Sequence, residues 1–387
     1  MRRIYLDHTA TTPLDPRVFE AMRPYFSETF GNASSIHSFG REAKAALEKA
    51  RATIATAVGA QSGELFFTSG GTESDNFAIR GVAHAGRKKG KNHIITSVVE
   101  HHAVLEPCEA LTEEGWDVTL LTVDSTALVT AAQVREAITD RTCLVSIMHA
   151  NNEVGTVYPL KEIAAIAHER GVLVHTDAVQ TLGKVPVDVN ELGVDLMTLS
   201  AHKLYGPKGI GALYIRRGTD IEPLLYGGGQ ERGKRPGTEN VPLAVGFAKA
   251  VELALADREV EMKRLAALRD NLQSKICNRF PAAIVNGHPT ERLPNILNIS
   301  FDSRKIQLEG EMLVMNMDLE GIAVTSGSAC TSGSMQPSHV LLAMGRDANT
   351  AKATLRFAFG RSNTEADVEE VMARLSDAIE KMTARQR

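Results

Sequence analysis

The sequence predicts an α/β protein with a large domain on a mainly parallel central sheet and a smaller α+β domain towards the C-terminus. Short runs of β-branched and apolar residues alternate with longer helical patterns, which is typical of βαβ units. Helical patterns at residues 41–58 and 160–170 lie between such runs, and Gly171 suits the end of the second helix. The candidate strands are residues 65–68, 93–98, 118–123, 143–148, 172–176, 196–199 and 211–215.

A long helical pattern from Pro242 to Pro281, interrupted only by Gly246, marks the predicted junction of the two domains. One face of this pattern carries the apolar residues Leu265, Leu268, Leu272 and Ile276. The remaining chain predicts a strand at 295–301, a helix at 310–319 and a Ser/Gly-rich loop at 325–334. A short helix at 337–344, a strand at 354–359 and a final amphipathic helix from Thr364 follow. We therefore predict a large domain at residues 16–257 and a small domain formed by residues 1–15 and 258–387.

Composition and charge exclude several classes of protein. The 387 residues carry 43 Lys and Arg against 47 Asp and Glu, a net charge of −4 without blocks of like charge, which argues against direct nucleic-acid binding. No apolar run reaches about 18 residues, so we expect no membrane span, and the first residues show no signal-peptide pattern. The four cysteines, Cys108, Cys143, Cys277 and Cys330, have neither CxxC nor zinc-type spacing. We expect no disulfide framework, no metal site and a cytoplasmic location.

Polar and glycine-rich clusters follow five of the predicted strands. Ligands of open parallel sheets bind beyond the carboxyl ends of the strands. Each cluster alone is weak evidence because strand-to-helix turns are normally polar, but five at one edge predict a site for a polar, phosphorylated ligand. The clusters are residues 69–72, Glu100 to His102, Asn151 to Glu153, Asp177 with Gln180, and Ser200 to Lys203.

Three of these residues suggest specific chemistry, each with a simpler alternative. Thr72 follows two glycines and opens a helix, whose N-terminus can bind phosphate, or it is a plain helix cap. Lys203 follows an apolar strand, where partial burial favours a Schiff-base lysine, although a solvated lysine is the usual alternative. Asp177 ends a strand and could hold a protonated pyridine nitrogen, or cap a helix.

Residues outside the turns add a nucleophile and a cation. Cys330 lies in a loop of small residues and should be accessible, whereas Cys143 and Cys277 fit packing positions. Arg356 interrupts an apolar strand, so it either clamps a carboxylate or forms a structural ion pair. One of the adjacent His101 and His102 could stack on an aromatic ring while the other faces solvent or fills a gap, although a lone histidine is more often structural. Residues 228–234 nearly match a nucleotide P-loop, but Ser or Thr is missing at position 235 and no βαβ unit surrounds them.

Taken together, the clusters resemble the cysteine desulfurases, pyridoxal-phosphate enzymes of class V with the fold-type-I, aminotransferase-like architecture. The resemblance extends from Tyr5 to the final helix. Its most specific parts are TSGGTESDN at 68–76, DAVQ at 177–180, SAHKLYGPKG at 200–209, RPGTEN at 235–240 and SGSACTS at 326–332. Two departures are Gly71, where Ala is expected, and Met312, where Ser is usual.

The resemblance implies a role for each matching residue. Lys203 would form the Schiff base, Asp177 would bind the pyridine nitrogen, and His101 would stack on the ring. Cys330 would accept the sulfur, and Arg356 would hold the substrate carboxylate. The remaining implied contacts are Asn152 and Gln180 with the phenolic oxygen, Asn152 also with the substrate, Gly71, Thr72, Ser200 and His202 with the phosphate, and Thr238 with the phosphate of the other subunit in a homodimer.

The implied activity converts L-cysteine to L-alanine and leaves a persulfide on the enzyme. The small-residue loop resembles the group that supplies iron–sulfur cluster assembly, with a sulfur-acceptor or scaffold protein as partner; thiolated cofactors or tRNA are other destinations. A selenocysteine lyase or another class V pyridoxal-phosphate enzyme would share the cofactor residues and remains the alternative.

Overall fold

The computed structural model describes residues 2–327 and 336–384. Its strands are β1 (Ile4–Tyr5), β2 (Leu65–Thr68), β3 (His93–Ser97), β4 (Asp117–Leu121), β5 (Thr142–Ser146), β6 (Leu173–Asp177), β7 (Leu196–Ser200), β8 (Gly211–Ile215), β9 (Ala283–Asn286), β10 (Ile296–Phe301), β11 (Ile322–Ala323) and β12 (Thr354–Ala358). Its helices are α1 (Pro16–Met22), α2 (Pro24–Ser27), α3 (Ser38–Ala57), α4 (Gly71–Arg87), α5 (His102–Glu113), α6 (Ala131–Ala137), α7 (Leu160–His168), α8 (Val189–Leu192), α9 (Val241–Ala256), α10 (Arg258–Arg279), α11 (Gly310–Leu319), α12 (His339–Ala343), α13 (Ala348–Lys352) and α14 (Glu365–Ala384).

The central sheet has the order β2-β8-β7-β6-β5-β3-β4. Strands β3 to β7 pair in parallel, whereas β8 runs antiparallel to both β7 and β2. Strands β3, β5 and β7 are buried throughout, and β6 is buried except at its two end residues, as expected for continuous apolar runs in a parallel sheet. Because β2 points the same way as β7, the carboxyl ends of β2, β3, β5, β6 and β7 meet at one edge. The α/β class and the seven predicted strands are confirmed.

Two predictions about the helices need correction. The pattern at 242–281 is two helices, because Asp257 between α9 and α10 has φ −106° and ψ 2°, outside the helical region. Gly246 does not interrupt the pattern but lies inside α9. A Cβ atom at Gly246 would fall 2.5 Å from Met22 Sδ, so the glycine lets α1 approach α9 closely.

A second hydrophobic cluster surrounds a small antiparallel sheet of order β12-β10-β9. The predicted apolar face of α10 is buried there, and Ile4 and Leu6 from the N-terminus join it. Val340 and Leu341 of α12 pack instead against the central-sheet cluster. The domain boundaries at 15/16 and 257/258 remain a prediction. The packing of Ile4, Leu6 and the apolar face of α10 around the small sheet supports it. None of the described helices is long and apolar enough to cross a membrane.

A buried ion pair ties the loop after β8 to the central sheet. The Arg51 guanidinium donates to both carboxylate oxygens of Glu231 at 2.6 and 2.7 Å, and both residues are buried. The Phe67 N–H of β2 donates to the same carboxylate at 2.9 Å. Glu231 and Arg232 have φ values of 44° and 56°, in the left-handed region that non-glycine residues rarely adopt. The ion pair therefore holds a strained turn in place.

Replacement of Glu231 tests this anchor. Glu231→Ala leaves the buried Arg51 with only the exposed Glu48 as a charge partner, so the free energy of unfolding in urea should fall by about 3–5 kcal/mol. The matched control is Glu252→Ala, which removes the partner of Lys249 in an exposed pair and should cost less than about 1 kcal/mol. Equal losses in the two variants would contradict the anchoring role.

Candidate active site

A cavity of about 430 Å³ opens where the carboxyl ends of the central strands meet. Of the residues singled out in the sequence, it is lined by Gly71, Thr72, His101, Asn152, Asp177, Gln180, Ser200, His202, Lys203 and Arg356. Thr238 is exposed and does not line this cavity. Cys330 lies outside the described residues, but Gly327, three residues before it, is part of the cavity wall.

Lys203 ends a single turn of 3-10 helix that directly follows β7. Its Nζ donates to the carbonyl oxygens of Thr9 at 2.5 Å and Ala10 at 2.9 Å. Burial, followed by the charge of Arg356, lowers the pKa of Lys203 to about 8. The alternative of a solvated surface lysine is therefore wrong, because this amine is enclosed and loses its proton more readily than a free lysine.

Buried carboxyl groups lie beneath the cavity. Asp177 Oδ1 accepts from the Val179 N–H at 2.8 Å, and burial raises the pKa of Asp177 to about 6. Burial and the neighbouring Asp177 also raise the pKa of Asp75, while burial raises that of Glu100 to about 8. A cation placed against Asp177 would favour its ionised form again, so this wall is suited to a protonated ring nitrogen.

The ring of His101 borders the cavity and is oriented by its own helix. His101 precedes α5, and its Nδ1 accepts from the Ala103 N–H at 3.1 Å, which leaves Nε2 as the protonated nitrogen. Desolvation, followed by the charge of Lys203, lowers the pKa of His101 to about 4. The ring is thus neutral at physiological pH and free to stack on a flat ligand.

The N-terminus of α4 forms one end of the site. A depression of about 440 Å³ beside the cavity is lined by Gly71, Thr72, Ser200, His202 and Lys208, among others. Interpretation of Thr72 as a helix cap is wrong, because α4 begins at Gly71 and its cap position, Gly70, has no side chain to accept hydrogen bonds. The first-turn N–H groups therefore remain available to a phosphate.

Gly71 occupies a tight place in this wall. A Cβ atom there would lie 3.1 Å from Val179 Cγ2, closer than ordinary van der Waals contact. The departure from the expected alanine is thus compatible with the local packing of this chain, since glycine leaves room for Val179.

The segment 7–12, which we call the N-terminal strap, crosses the cavity and was not assigned a role from the sequence. Asp7 Oδ1 accepts from Arg356 at 2.9 Å, so the structural ion pair considered for Arg356 is present. Gln180 Nε2 donates to the Thr9 carbonyl at 3.0 Å. The only signal for this strap was a polar run after the short apolar segment at 4–6.

Several buried polar atoms at the cavity have no hydrogen-bond partner among the described residues. Such atoms are costly unless a ligand or water satisfies them. They are Thr9 Oγ1, Asp75 Oδ1, Gln180 Oε1 and Arg356 Nε. Their positions in one cavity indicate that a polar ligand belongs there.

The pKa of Lys203 predicts how stability depends on pH in the cofactor-free protein. Between about pH 8 and 10.5 the unfolded lysine keeps its proton while the folded one has lost it, so the stability of the wild type should rise with pH relative to Lys203→Met. Urea unfolding at several pH values measures this difference. The control is Lys49→Met, at an exposed lysine of α3. A difference between wild type and Lys203→Met that does not change with pH would refute the lowered pKa.

Comparison with sequences of known proteins identifies the family. The family model described as aminotransferase class-V matches residues 4–371. The cysteine desulfurase IscS of Dictyoglomus turgidum is 51% identical over 381 residues, which cover 98% of this chain and 95% of that protein. The IscS of Methanosarcina thermophila is 49% identical, with 98% and 93% covered.

Solved structures give the same result. A NifS-like protein matches with a TM-score of 0.91 and 39% identity, covering 98% of this chain and 100% of that one. A structure titled SspA in complex with cysteine matches with a TM-score of 0.81 and 38% identity, covering 92% and 98%. The fold-type-I architecture predicted from the sequence is confirmed.

The cavity suits pyridoxal phosphate, the cofactor of these enzymes. An amine of lowered pKa is available for the aldehyde, and an acid is available for the pyridine nitrogen. Unpaired N–H groups at the start of α4 are available for the phosphate, and the unsatisfied polar atoms require a polar ligand. The chain is therefore a pyridoxal-phosphate-dependent enzyme of the aminotransferase class-V family.

Proposed function

We propose that this enzyme is a cysteine desulfurase, which converts L-cysteine to L-alanine and transfers the sulfur to Cys330. The observation that carries the proposal is that Lys203, Asp177 and Arg356 surround the same cavity whose wall ends at Gly327, three residues before the cysteine. The relatives named cysteine desulfurase, at about half identity over nearly the whole chain, support it.

The cofactor would be held by residues already grouped around the cavity. Bound pyridoxal phosphate supplies an electron sink for a carbanion at the substrate α-carbon. Lys203 would hold its aldehyde carbon, Asp177 its pyridine nitrogen and His101 its ring face. Its other polar groups would contact Asn152, Gln180, Gly71, Thr72, Ser200 and His202.

The protein residues would bind the substrate and move its protons. Arg356 is buried, donates to the Asn152 carbonyl at 3.1 Å and keeps Nε unpartnered, so it can donate to the substrate carboxylate. Lys203 in its uncharged form would take the α-proton, which a pKa of about 8 permits near neutral pH. Asp177, once paired with the ring nitrogen, would keep that nitrogen protonated.

Sulfur transfer would use the Cys330 thiolate as nucleophile. The thiolate attacks the substrate sulfur, a new S–S bond forms and the C–S bond breaks, with its electron pair left on carbon. Protonation of that carbon gives alanine, and Cys330 carries the persulfide. The other three cysteines are less suited to attack, because burial raises the pKa of Cys108 and of Cys143 to about 12 and also raises that of Cys277.

A homodimer would complete the site. Thr238 is exposed and lies away from the cavity of its own chain, as expected for a residue that reaches the phosphate of another subunit. Large apolar side chains are exposed in the segment that runs from α1 to the start of α3, which fits a surface that a second copy covers. They are Phe19, Phe26, Phe30, Ile36 and Phe39.

The persulfide would pass to an acceptor protein. Iron–sulfur cluster assembly in the cytoplasm is the proposed pathway, on the basis of the small-residue segment around Cys330 and the three free cysteines described elsewhere in the chain. Delivery to thiolated cofactors or tRNA uses the same persulfide. A selenocysteine lyase would share the cofactor residues, and comparison of turnover on cysteine and selenocysteine separates the two functions.

Replacement of Cys330 tests the nucleophile. Cys330→Ala should keep the visible absorption of the bound cofactor and its change on addition of L-cysteine, because no cofactor contact is lost. It should form no persulfide, as measured by mass spectrometry of the intact chain. Cys277→Ala, at a partly buried position of α10, is the control and should keep full activity. Normal sulfide release by Cys330→Ala would refute the assignment.

Replacement of Arg356 tests substrate binding. Arg356→Lys keeps the charge beside Asp7 but loses the planar fork that binds a carboxylate with two hydrogen bonds. The loss of one charge-assisted hydrogen bond, worth about 1.5–3 kcal/mol, should raise KM for L-cysteine by about 10- to 150-fold. Arg292→Lys, in a pair with Asp270, serves as the control. An unchanged KM in Arg356→Lys would place the substrate carboxylate elsewhere.

A further inference from the structure

Glu153 is a buried carboxylate for which the proposed mechanism has no task. It follows Asn152, is 3% exposed and does not line the cavity. Ser338 Oγ donates to Glu153 Oε2 at 2.5 Å. A Cβ atom at Gly327 would fall 2.6 Å from that same oxygen, so the backbone of Gly327 packs directly against it. One carboxylate oxygen thus meets two segments that are 11 residues apart.

These two segments flank the cysteine in the sequence. Gly327 precedes Cys330 by three residues and Ser338 follows it by eight. Gly327 lines the cavity, and Ser338 caps α12. Contacts with Glu153 therefore act on described residues at both ends of the segment that carries the cysteine.

The upstream flank has little freedom to shift. Gly327 has φ +97°, a conformation that favours glycine, and its lack of a Cβ is what allows the contact with Glu153. Two residues earlier, the Thr325 carbonyl accepts from the Arg356 N–H at 2.6 Å, which continues the edge of β12. The flank is therefore aligned with the proposed carboxylate-binding residue.

The downstream flank is fixed because the Ser338 hydroxyl makes a second hydrogen bond. Ser338 Oγ accepts from the Leu341 N–H at 3.2 Å and so caps α12, while its proton goes to Glu153. His339 Nε2 lies 3.0 Å from the Glu100 carbonyl oxygen, which adds a contact with the turn between β3 and α5. The start of α12 is thus held from two sides.

We infer that Glu153 is a positioning residue that fixes Gly327 and Ser338, the described residues on the two sides of the Cys330 segment. Sulfur transfer then depends on Glu153 although this side chain touches neither cofactor nor substrate. The inference rests on the proposed function, because it takes Cys330 as the nucleophile.

Glu153→Ala in the holoenzyme is the first test. Displacement of a reacting group by about 1 Å can cost about 100-fold in rate, so kcat for alanine formation should fall at least about tenfold. KM for L-cysteine, the cofactor absorption and its change on addition of L-cysteine should stay as in the wild type. In single turnover, mass spectrometry should show slower persulfide formation on Cys330.

Hydrogen exchange in the cofactor-free protein tests separately whether Glu153 anchors the two flanks. In the cofactor-free protein, hydrogen exchange in peptides covering 322–327 and 336–343 should be faster in Glu153→Ala than in the wild type, because both flanks lose their shared partner. Exchange in peptides of the small sheet should not change. Asp302→Asn, which replaces a buried acid paired with Arg304, is the control and should alter neither kcat nor these peptides.

A double variant that moves the carboxylate from position 153 to position 338 provides a rescue test. Ser338→Asp keeps a good capping residue for α12 but places a second carboxylate against Glu153, so repulsion should separate the flanks and slow persulfide formation. Addition of Glu153→Gln to that variant supplies an amide donor for the new carboxylate and should restore most of the rate. A purely structural defect would not be repaired by the second change.

Three outcomes would overturn the inference. The first is wild-type persulfide formation in Glu153→Ala. The second is a loss of activity that follows lost cofactor or a lowered melting temperature, which would make Glu153 a folding residue. The third is no rescue in the double variant. Failure of the proposed function is distinct, since it requires turnover in Cys330→Ala.

Discussion

The ion pair between Asp7 and Arg356 is the contact on which the site depends, because it joins two separately built parts of the chain. Arg356 belongs to β12 of the small antiparallel sheet, whereas Asp7 begins the strap that crosses the edge of the central sheet. The next residues of that strap offer their carbonyl oxygens to Lys203. The charged groups are largely buried, so separation of the pair would leave an uncompensated charge. The two sheets therefore share one polar network around the cavity.

The same physical cause prepares the acid and the base of this network. Burial disfavours the charged form of any group. It therefore lowers the pKa of Lys203 to about 8 and raises the pKa of Asp177 to about 6. Both values lie near neutrality, where a group can exchange a proton during a reaction. Arg356 next to Lys203 adds to the effect on the amine, so the cation that we propose for the substrate carboxylate also lowers the pKa of this lysine.

Local patterns made the central sheet and most of the site predictable. Runs of β-branched residues form the buried strands, and the polar turns after them lie at one edge because the strands are parallel. Short pairings were missed, since β1 and β11 have two residues each and their partners lie far apart in the sequence. The break at Asp257 was missed because it is a backbone conformation within an unbroken helical pattern. The cap role considered for Thr72 was wrong because the cap position is Gly70, two residues earlier.

The sequence by itself determined which residue types follow which strand, and hence the cavity residues of the large sheet and the family they resemble. Tertiary structure decided which distant residues meet. Asp7 and Arg356 are 349 residues apart, and Glu153 contacts Ser338 across 185 residues. The reason is physical: periodicity and turn chemistry act over a few residues, whereas these contacts exist only after the small sheet has packed against the central one.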